Sequence, residues 1–403
     1  MGVFRNENAA AILLRDTQQQ GKCSMALRYT TSTLRHLSWL VALLPAMSFA
    51  QKNSAHSNPA QTWTIGPFNR PVSSPILSPR PASSFTDPVS GQTVHWEATS
   101  TFNPSAVVRN GKVYVLYRAE DDSGEMKIGM HTSRLGLASS DDGIHFTREP
   151  EPVFYPADDT QKDREWPGGT EDPRLIEGED GAYVLSYTQW NRKSTSIGIA
   201  TSKDLIHWTK HGPMFPGKDN GAYHSYKSGG IVTRLSNGRL IAAKIQGKYW
   251  MYWGEVEIHL ATSPDLIHWT PVENADGSPI AVLKQRVALF DSAFPEVGPP
   301  PVLTERGIVV LYNGKNGSSD GAPGLDPGAY SVGQALFSAT EPAKLLERTT
   351  VPFLKPELPF EKTGQYVTGT TFAEGLVYFS NKWFLYYGCA DSLVGVAVSA
   401  ERK

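Results

Sequence analysis

Glu171 and Asp172 lie next to each other, with Arg174 two residues on, in the stretch Glu165-Trp166-Pro167-Gly168-Gly169-Thr170-Glu171-Asp172-Pro173-Arg174. Two adjacent acids repel, and a cation beside them lets both stay ionised. The sequence places them in a turn stiffened by Pro173, just ahead of the apolar strand Ala182 to Tyr187. On its own, Glu-Asp-Pro-Arg is more often a salt-bridged turn than a site. Further acids change that balance. Glu255 follows the aromatic run Tyr249-Trp250-Met251-Tyr252-Trp253, where desolvation would raise its pKa toward that of a usable acid. Glu296 stands in a segment constrained by Pro295 and Gly298-Pro299-Pro300-Pro301, which limits the entropy lost in holding its side chain. Carboxylates converging on one pocket among aromatic rings suit cleavage of a glycosidic bond, one acid protonating the leaving oxygen and another activating water.

The elements that would bring these acids together recur along the chain. Leu137-Ala138-Ser139-Ser140-Asp141-Asp142-Gly143-Ile144-His145-Phe146 returns as Ile199 to Trp208 and again as Leu260 to Trp269, with weaker copies starting near Val309 and Trp383. Short strands, turn residues at a steady interval and almost no helical periodicity predict an all-β repeat. The repeat length and the chain length predict a five-bladed β-propeller over 91–403, whose inner-strand ends surround one axial pocket. His145, His207 and His268 repeat with the blades and have no metal-ligand spacing, so they read as a turn device rather than a metal site. The aromatic residues that follow them read as wedges between blades.

Composition agrees with a sugar-facing surface. The 403-residue chain has a net charge of −2 and no basic run, which argues against nucleic acid or an anionic membrane as partner. Its rings, 10 Trp and 16 Tyr among them, suit the C–H faces of sugars. Arg28 to Ala50 reads as a secretory signal: basic residues, the apolar run Leu37 to Leu44, and small residues at Ser48 and Ala50. That run is too short to span a bilayer. The expectation is a signal over 1–50, with an upstream overhang before Met25, and a periplasmic or secreted product. Of two cysteines, Cys23 falls in the segment removed, which leaves Cys389 without an internal disulfide partner. Residues 51–90, rich in Ser, Pro, Asn and Gln, read as a linker with an N-terminal extended arm.

Taken in order, Asn103-Pro104-Ser105, Tyr117-Arg118-Ala119-Glu120-Asp121, Gly169 to Arg174, Gly298-Pro299-Pro300 and Tyr386 to Asp391 resemble glycoside hydrolase family 130, the five-bladed mannoside phosphorylases and mannosidases. In the family's phosphorylases the aspartate matching Asp172 donates a proton through a mannosyl hydroxyl. Phosphate is held there by basic side chains, including an arginine after the strand matching Tyr249 to Trp253 and a histidine matching the Tyr312-Asn313-Gly314 triplet. Here those places read Gly254-Glu255 and Asn313. A carboxylate in place of a cation repels phosphate. The departure resembles the hydrolytic branch, the inverting β-1,2-mannosidases, in which glutamates matching Glu255 and Glu296 form the catalytic pair. The resemblance therefore implies an inverting hydrolase of β-1,2-linked mannosides that uses Glu255 and Glu296, with Asp172 on the mannosyl hydroxyls, and the signal stretch adds the expectation of export. Asn103, Arg118, Arg174, Lys227, Asn313 and Asp391 are its expected substrate contacts, with no cofactor and no catalytic metal. The alternatives are a phosphorylase working through Asp172, a non-catalytic glycan-binding propeller, and a furanosidase or xylosidase of another five-bladed family. An inverting pair is expected to stand roughly 6.5–9.5 Å apart.

Overall fold

Each repeat seen in the sequence folds as an antiparallel unit of strands, and consecutive units pack face to face. The computed structural model describes residues 63–401 apart from 126, 219, 220 and 224. The first blade is Ser100–Arg109, Lys112–Glu120, Ser133–Ser140 and Thr147–Arg148; the second is Gly169–Glu177, Tyr183–Trp190, Thr195–Ser202 and Trp208–Pro213. The third is built on Gly229–Ile231, Lys248–Trp253, Ile258–Ser263 and Thr270–Pro271, with the hairpin Thr233–Ser236/Arg239–Ala242 extending its inner edge. In the fourth, Phe294–Val297 and Val302–Thr304 both pair with Gly307–Lys315, followed by Tyr330–Phe337 and Leu345–Arg348. The fifth is Thr371–Phe379, Lys382–Cys389 and Leu393–Ser399, and its outer strand is Phe68–Asn69 from the N-terminal arm, in register Phe68↔Ser399.

The apolar side chains form five clusters, one between each pair of neighbouring blades. Leu116 and Leu137 meet Leu175 and Leu185 between the first and second. Ile176 and Ile197 meet Met251 and Trp253 next, followed by Tyr252 and Leu260 against Val310 and Phe337. Leu311 and Val332 meet Leu385 and Tyr387, and the ring closes where Phe384 and Val396 meet Val113 and Tyr117. The result is a five-bladed β-propeller.

The aromatic ends of the repeated turns serve as the expected wedges. Phe146, Trp208 and Trp269 each pack in the cluster shared with the preceding blade. The turns themselves are built alike. Asp142, Asp204 and Asp265 each accept two backbone N–H bonds and a 2.7 Å contact from Nδ1 of His145, His207 and His268, whose side chains stand in solvent. That is a turn device, as read.

Two readings of the chain need correction. From Trp63 onward the presumed linker is packed structure: Trp63, Ile65, Leu77 and Phe85 are buried in two of the interblade clusters. The Glu171-Asp172 stretch is not a turn before a strand but part of the inner strand Gly169–Glu177, which bulges between Glu171 and Arg174. The signal stretch Arg28 to Ala50, Cys23 and residues 51–62 lie outside the described residues. Among the described residues no helix is long and apolar enough to cross a membrane.

Candidate active site

The inner strands of the first, second and fifth blades carry a bulge at matching places: Phe102/Pro104, Glu171/Arg174 and Ala373/Gly375. A bulge re-aims the side chains beside it. Here it turns Asn103, Asp172 and Glu374 toward the axis. Asn103 and Asp172 take positive φ of 47° and 46°, a region that Asn and Asp tolerate better than most residues. Gly388 makes room for the first of them, since a Cβ there would lie 2.2 Å from Asn103 Oδ1.

Arg118 is the cation for the paired acids. Its guanidinium lies 3.1 Å from Asp172, 2.8 Å from Glu171 and 2.6 Å from Glu120, while Nε donates to Ser133 Oγ at 3.1 Å. Asn103 Nδ2 donates to Asp172 Oδ1 at 2.8 Å, and Asn103 Oδ1 is buried without a partner, free to accept a ligand hydroxyl. Burial acts to raise the Asp172 pKa, but Arg118, Lys227 and Arg174 outweigh it and hold the carboxyl ionised. Glu171 moves the other way, because burial and the charges of Asp172 and Glu120 exceed the pull of Arg118. Asp391, at φ 51°, completes this side, its carboxyl pushed up to about 6 by burial and by Glu120 and Asp172 against Arg118.

Across the axis stand Glu255 and Glu296, joined by an isolated bridge between their backbones. Glu296 is buried and accepts a 2.6 Å bond from Ser228 Oγ. Glu255 is more open than expected, with 35% of its side chain exposed, so it is not the desolvated acid its aromatic strand suggested. It is aimed by Gly254 at φ 115° and Val256 at φ 72°, and a β-branched residue at positive φ is strained. Lys227 Nζ lies between the pair, 2.9 Å from Glu255 Oε2 and 3.6 Å from Glu296 Oε1. Burial would weaken that ammonium's hold on its proton, but Glu296, Asp172 and Glu171 strengthen it. The two carboxylate oxygens that touch it stand no farther apart than those two contacts laid end to end. That reaches only the short limit of the roughly 6.5–9.5 Å expected of an inverting pair. The shared ammonium draws them together.

Two expected substrate contacts are structural instead. Arg174 is buried with every nitrogen engaged. Nη2 donates to Val297 O at 2.7 Å, Nε to Gly298 O at 3.3 Å and Nη1 to Asp172 O at 3.0 Å, and Nη1 also lies 2.9 Å from Glu374. It fixes the backbone of Asp172 rather than facing a ligand. Asn313 is buried with both ends of its amide on Ala373, accepting from its N–H at 2.8 Å and donating to its carbonyl at 3.1 Å. It ties the fourth blade to the fifth.

Sequence reasoning gave no role to Ser228, Glu374 or Gln365. Gln365 Nε2 donates to Glu120 at 2.6 Å and to the Asp391 carbonyl at 3.2 Å, linking the last blade to the first beside the pocket. Adjacency to Lys227 was the one local signal for Ser228; the others depend on pairing across blades. Among the described residues no cluster of His, Cys, Asp and Glu has a metal-binding arrangement.

The family profile of glycoside hydrolase family 130, described as beta-1,4-mannooligosaccharide phosphorylase, matches residues 73–403. A 1,2-beta-oligomannan phosphorylase of Thermoanaerobacter sp. (strain X514) is 33% identical over 309 residues, covering 75% of this chain and 90% of the relative. A solved structure from a study of GH130 glycoside hydrolases that target β-1,2 mannosidic linkages in Candida mannan is 50% identical. It superposes with a TM-score of 0.82 over 85% of this chain and 97% of its own. A glycosyl hydrolase from Bacteroides ovatus is likewise 50% identical, with a TM-score of 0.81 over 84% and 96% of the two chains. With carboxylates gathered on one propeller axis and the profile running from residue 73 to the end, the chain belongs to glycoside hydrolase family 130 and is a mannoside-processing enzyme.

Proposed function

We propose that the enzyme hydrolyses β-1,2-linked mannosides with inversion, through Glu255 and Glu296. The observation that carries this reading is the charge balance of the pocket. Lys227 is shared by Glu255 and Glu296, Arg118 by Glu120, Glu171 and Asp172, and Arg174 is sealed against Glu374. These three cations are taken up by carboxylates, which repel an inorganic anion; Lys315, without an ion pair among the described residues, is instead held over the rings of Phe294, Tyr330 and Tyr366. In the proposed step one glutamic acid gives its proton to the glycosidic oxygen as the bond to the anomeric carbon breaks. The other, as carboxylate, takes a proton from the water that attacks that carbon from the opposite face. Asp172, held ionised, accepts hydrogen bonds from the mannosyl hydroxyls. Substrate has to draw the Lys227 ammonium out of the line between the glutamates to make room for that water.

A specific finding favours a second reading. The curated relative at 33% identity is named a phosphorylase, as is the family profile, which supports phosphorolysis through Asp172. Incubation with β-1,2- and β-1,4-mannobiose, with and without phosphate, separates the two. The hydrolase reading expects free mannose in phosphate-free buffer and a preference for the β-1,2 linkage. Strict phosphate dependence with mannose 1-phosphate as product overturns it. A glycan-binding propeller would bind without turnover. We also propose export, on the strength of Arg28 to Ala50, and N-terminal sequencing of the mature protein tests it.

A further inference from the structure

The end of the propeller away from the acids has a hollow of its own. Inner hairpins of three blades turn there: Asn110-Gly111 of the first, Asn237-Gly238 of the third and Ser380-Asn381 of the fifth, each with both residues at positive φ. With Arg239, Tyr378 and Phe379 these turns line an open hollow of about 330 Å³, at the lower end of the range for small-molecule sites. It is not a back door to the acids. The axis between them is closed by Val107, Leu175, Leu240, Pro300 and Val377 around a void of only about 10 Å³. Asn103 and Asn110 belong to one strand and its turn, so at about 3.3 Å per residue the two sites are roughly 23 Å apart.

The chemistry of the lining selects a class of ligand. The side-chain amides of Asn110, Asn237 and Asn381 are exposed to solvent and the Tyr378 ring is half-buried, and among the described residues none of these groups is taken up by a hydrogen bond within the protein. An amide offers a donor and an acceptor side by side, which matches vicinal hydroxyls. Tyr378 and Phe379 are part-buried against Trp383 and Phe384, with ring centroids 5.2 and 6.1 Å apart, so they present rigid apolar area. Arg239 is already committed to Glu177, at 2.5 Å, which disfavours an anion. Turn geometry accounts for Asn at positive φ and solvent for the unpaired amides; what marks this place is that three such turns line one hollow beside two half-buried rings.

We propose that this cavity is a second, non-catalytic binding site for a neutral saccharide of one or two pyranose rings. Its occupant is a segment of the mannoside chain on which the catalytic face acts. The saccharide class follows from the lining, and its identity as a mannoside rests on the function proposed above. Such a site holds a long chain to the enzyme between catalytic events and raises its effective concentration.

The test uses S-linked β-1,2-mannobiose, which is neither hydrolysed nor phosphorolysed, titrated calorimetrically into the wild-type protein. Two equivalents are expected to bind. Asn237→Gly with Tyr378→Leu, which preserves the turn and the apolar packing, is expected to remove one of them. The same double variant should keep kcat/KM on mannobiose within about twofold and raise KM on long β-1,2-mannan several-fold. Glu296→Gln should leave the second equivalent in place. One equivalent in both wild type and double variant, with an unchanged KM on mannan, overturns the second site and leaves the catalytic reading standing. Failure to bind at either place overturns both, while two equivalents untouched by the double variant put the extra site elsewhere.

Discussion

Glu255 and Glu296 share one ammonium, and that sharing sets what each substitution does. Glu255→Gln and Glu296→Gln are each expected to lower turnover by about 10²–10⁴-fold, the usual worth of a general acid or base, with binding of the thio-disaccharide retained. Turnover unchanged in both variants would remove the pair from the chemistry. Asp391 carries a pH prediction. In the fold its carboxyl keeps a proton up to about pH 6, against an ordinary value of 3.8, because it is buried beside Glu120 and Asp172. The unfolded chain therefore ionises first, and the fold loses stability as pH rises from about 4 through about 6. Asp391→Asn is expected to match wild type in Tm below pH 4 and to melt a few degrees higher above pH 6. Equal melting at pH 7 would show that the burial of this carboxyl carries no penalty.

Within and between strands, the bonds that matter most cross from one blade to the next. Asn313→Ala strands the N–H and C=O of Ala373, each a buried polar group whose loss of a partner costs about 1–3 kcal/mol. The expected result is a lowered denaturation midpoint with KM unchanged in the protein that stays folded. A raised KM at wild-type stability would instead make Asn313 a ligand contact. This difference between tie and contact also marks the limit of what the chain reveals by itself. The three Ser-x-Asp-x-x-His turns were legible because every bond in them is local, and with the two weaker copies near Val309 and Trp383 they anticipated the five blades. Glu255, Glu296 and Lys227 do meet, and Lys227, Asp172 and Asp391 lie close enough to act on one another's charge, with Asn103 bonded to Asp172. Arg174 and Asn313 were misplaced because motif membership says nothing of direction. A bulge two residues earlier swings the Arg174 side chain toward Glu374 and leaves Arg118, from another blade, to hold the paired acids.

For the molecule as a whole, stability resides in five apolar seams rather than one core, and the last seams need the N-terminal arm. Trp63 and Ile65 are buried between the fourth and fifth blades, and Trp63 Nε1 donates to Glu347 at 2.6 Å. Arg70 adds a 2.6 Å bond to Glu361. Burying two such apolar side chains is worth about 1.5–3 kcal/mol each, so a chain begun at Pro71 is expected to melt roughly 10 °C lower. Unchanged melting in differential scanning fluorimetry would show that the ring does not depend on its arm. Composition hid this role, since a Ser- and Pro-rich stretch reads as linker until its few large apolar residues are seen to have a seam to fill.

The pairing of Phe68 with Ser399 has a consequence for biogenesis. The earliest strand of the ring to leave the ribosome completes a sheet whose other members are the last to be made. Until translation ends, the nascent chain can build separate meanders but has nothing to clasp them into a circle. A chain made from its N-terminus thus keeps its ring open for as long as the strand ending at Ser399 is missing.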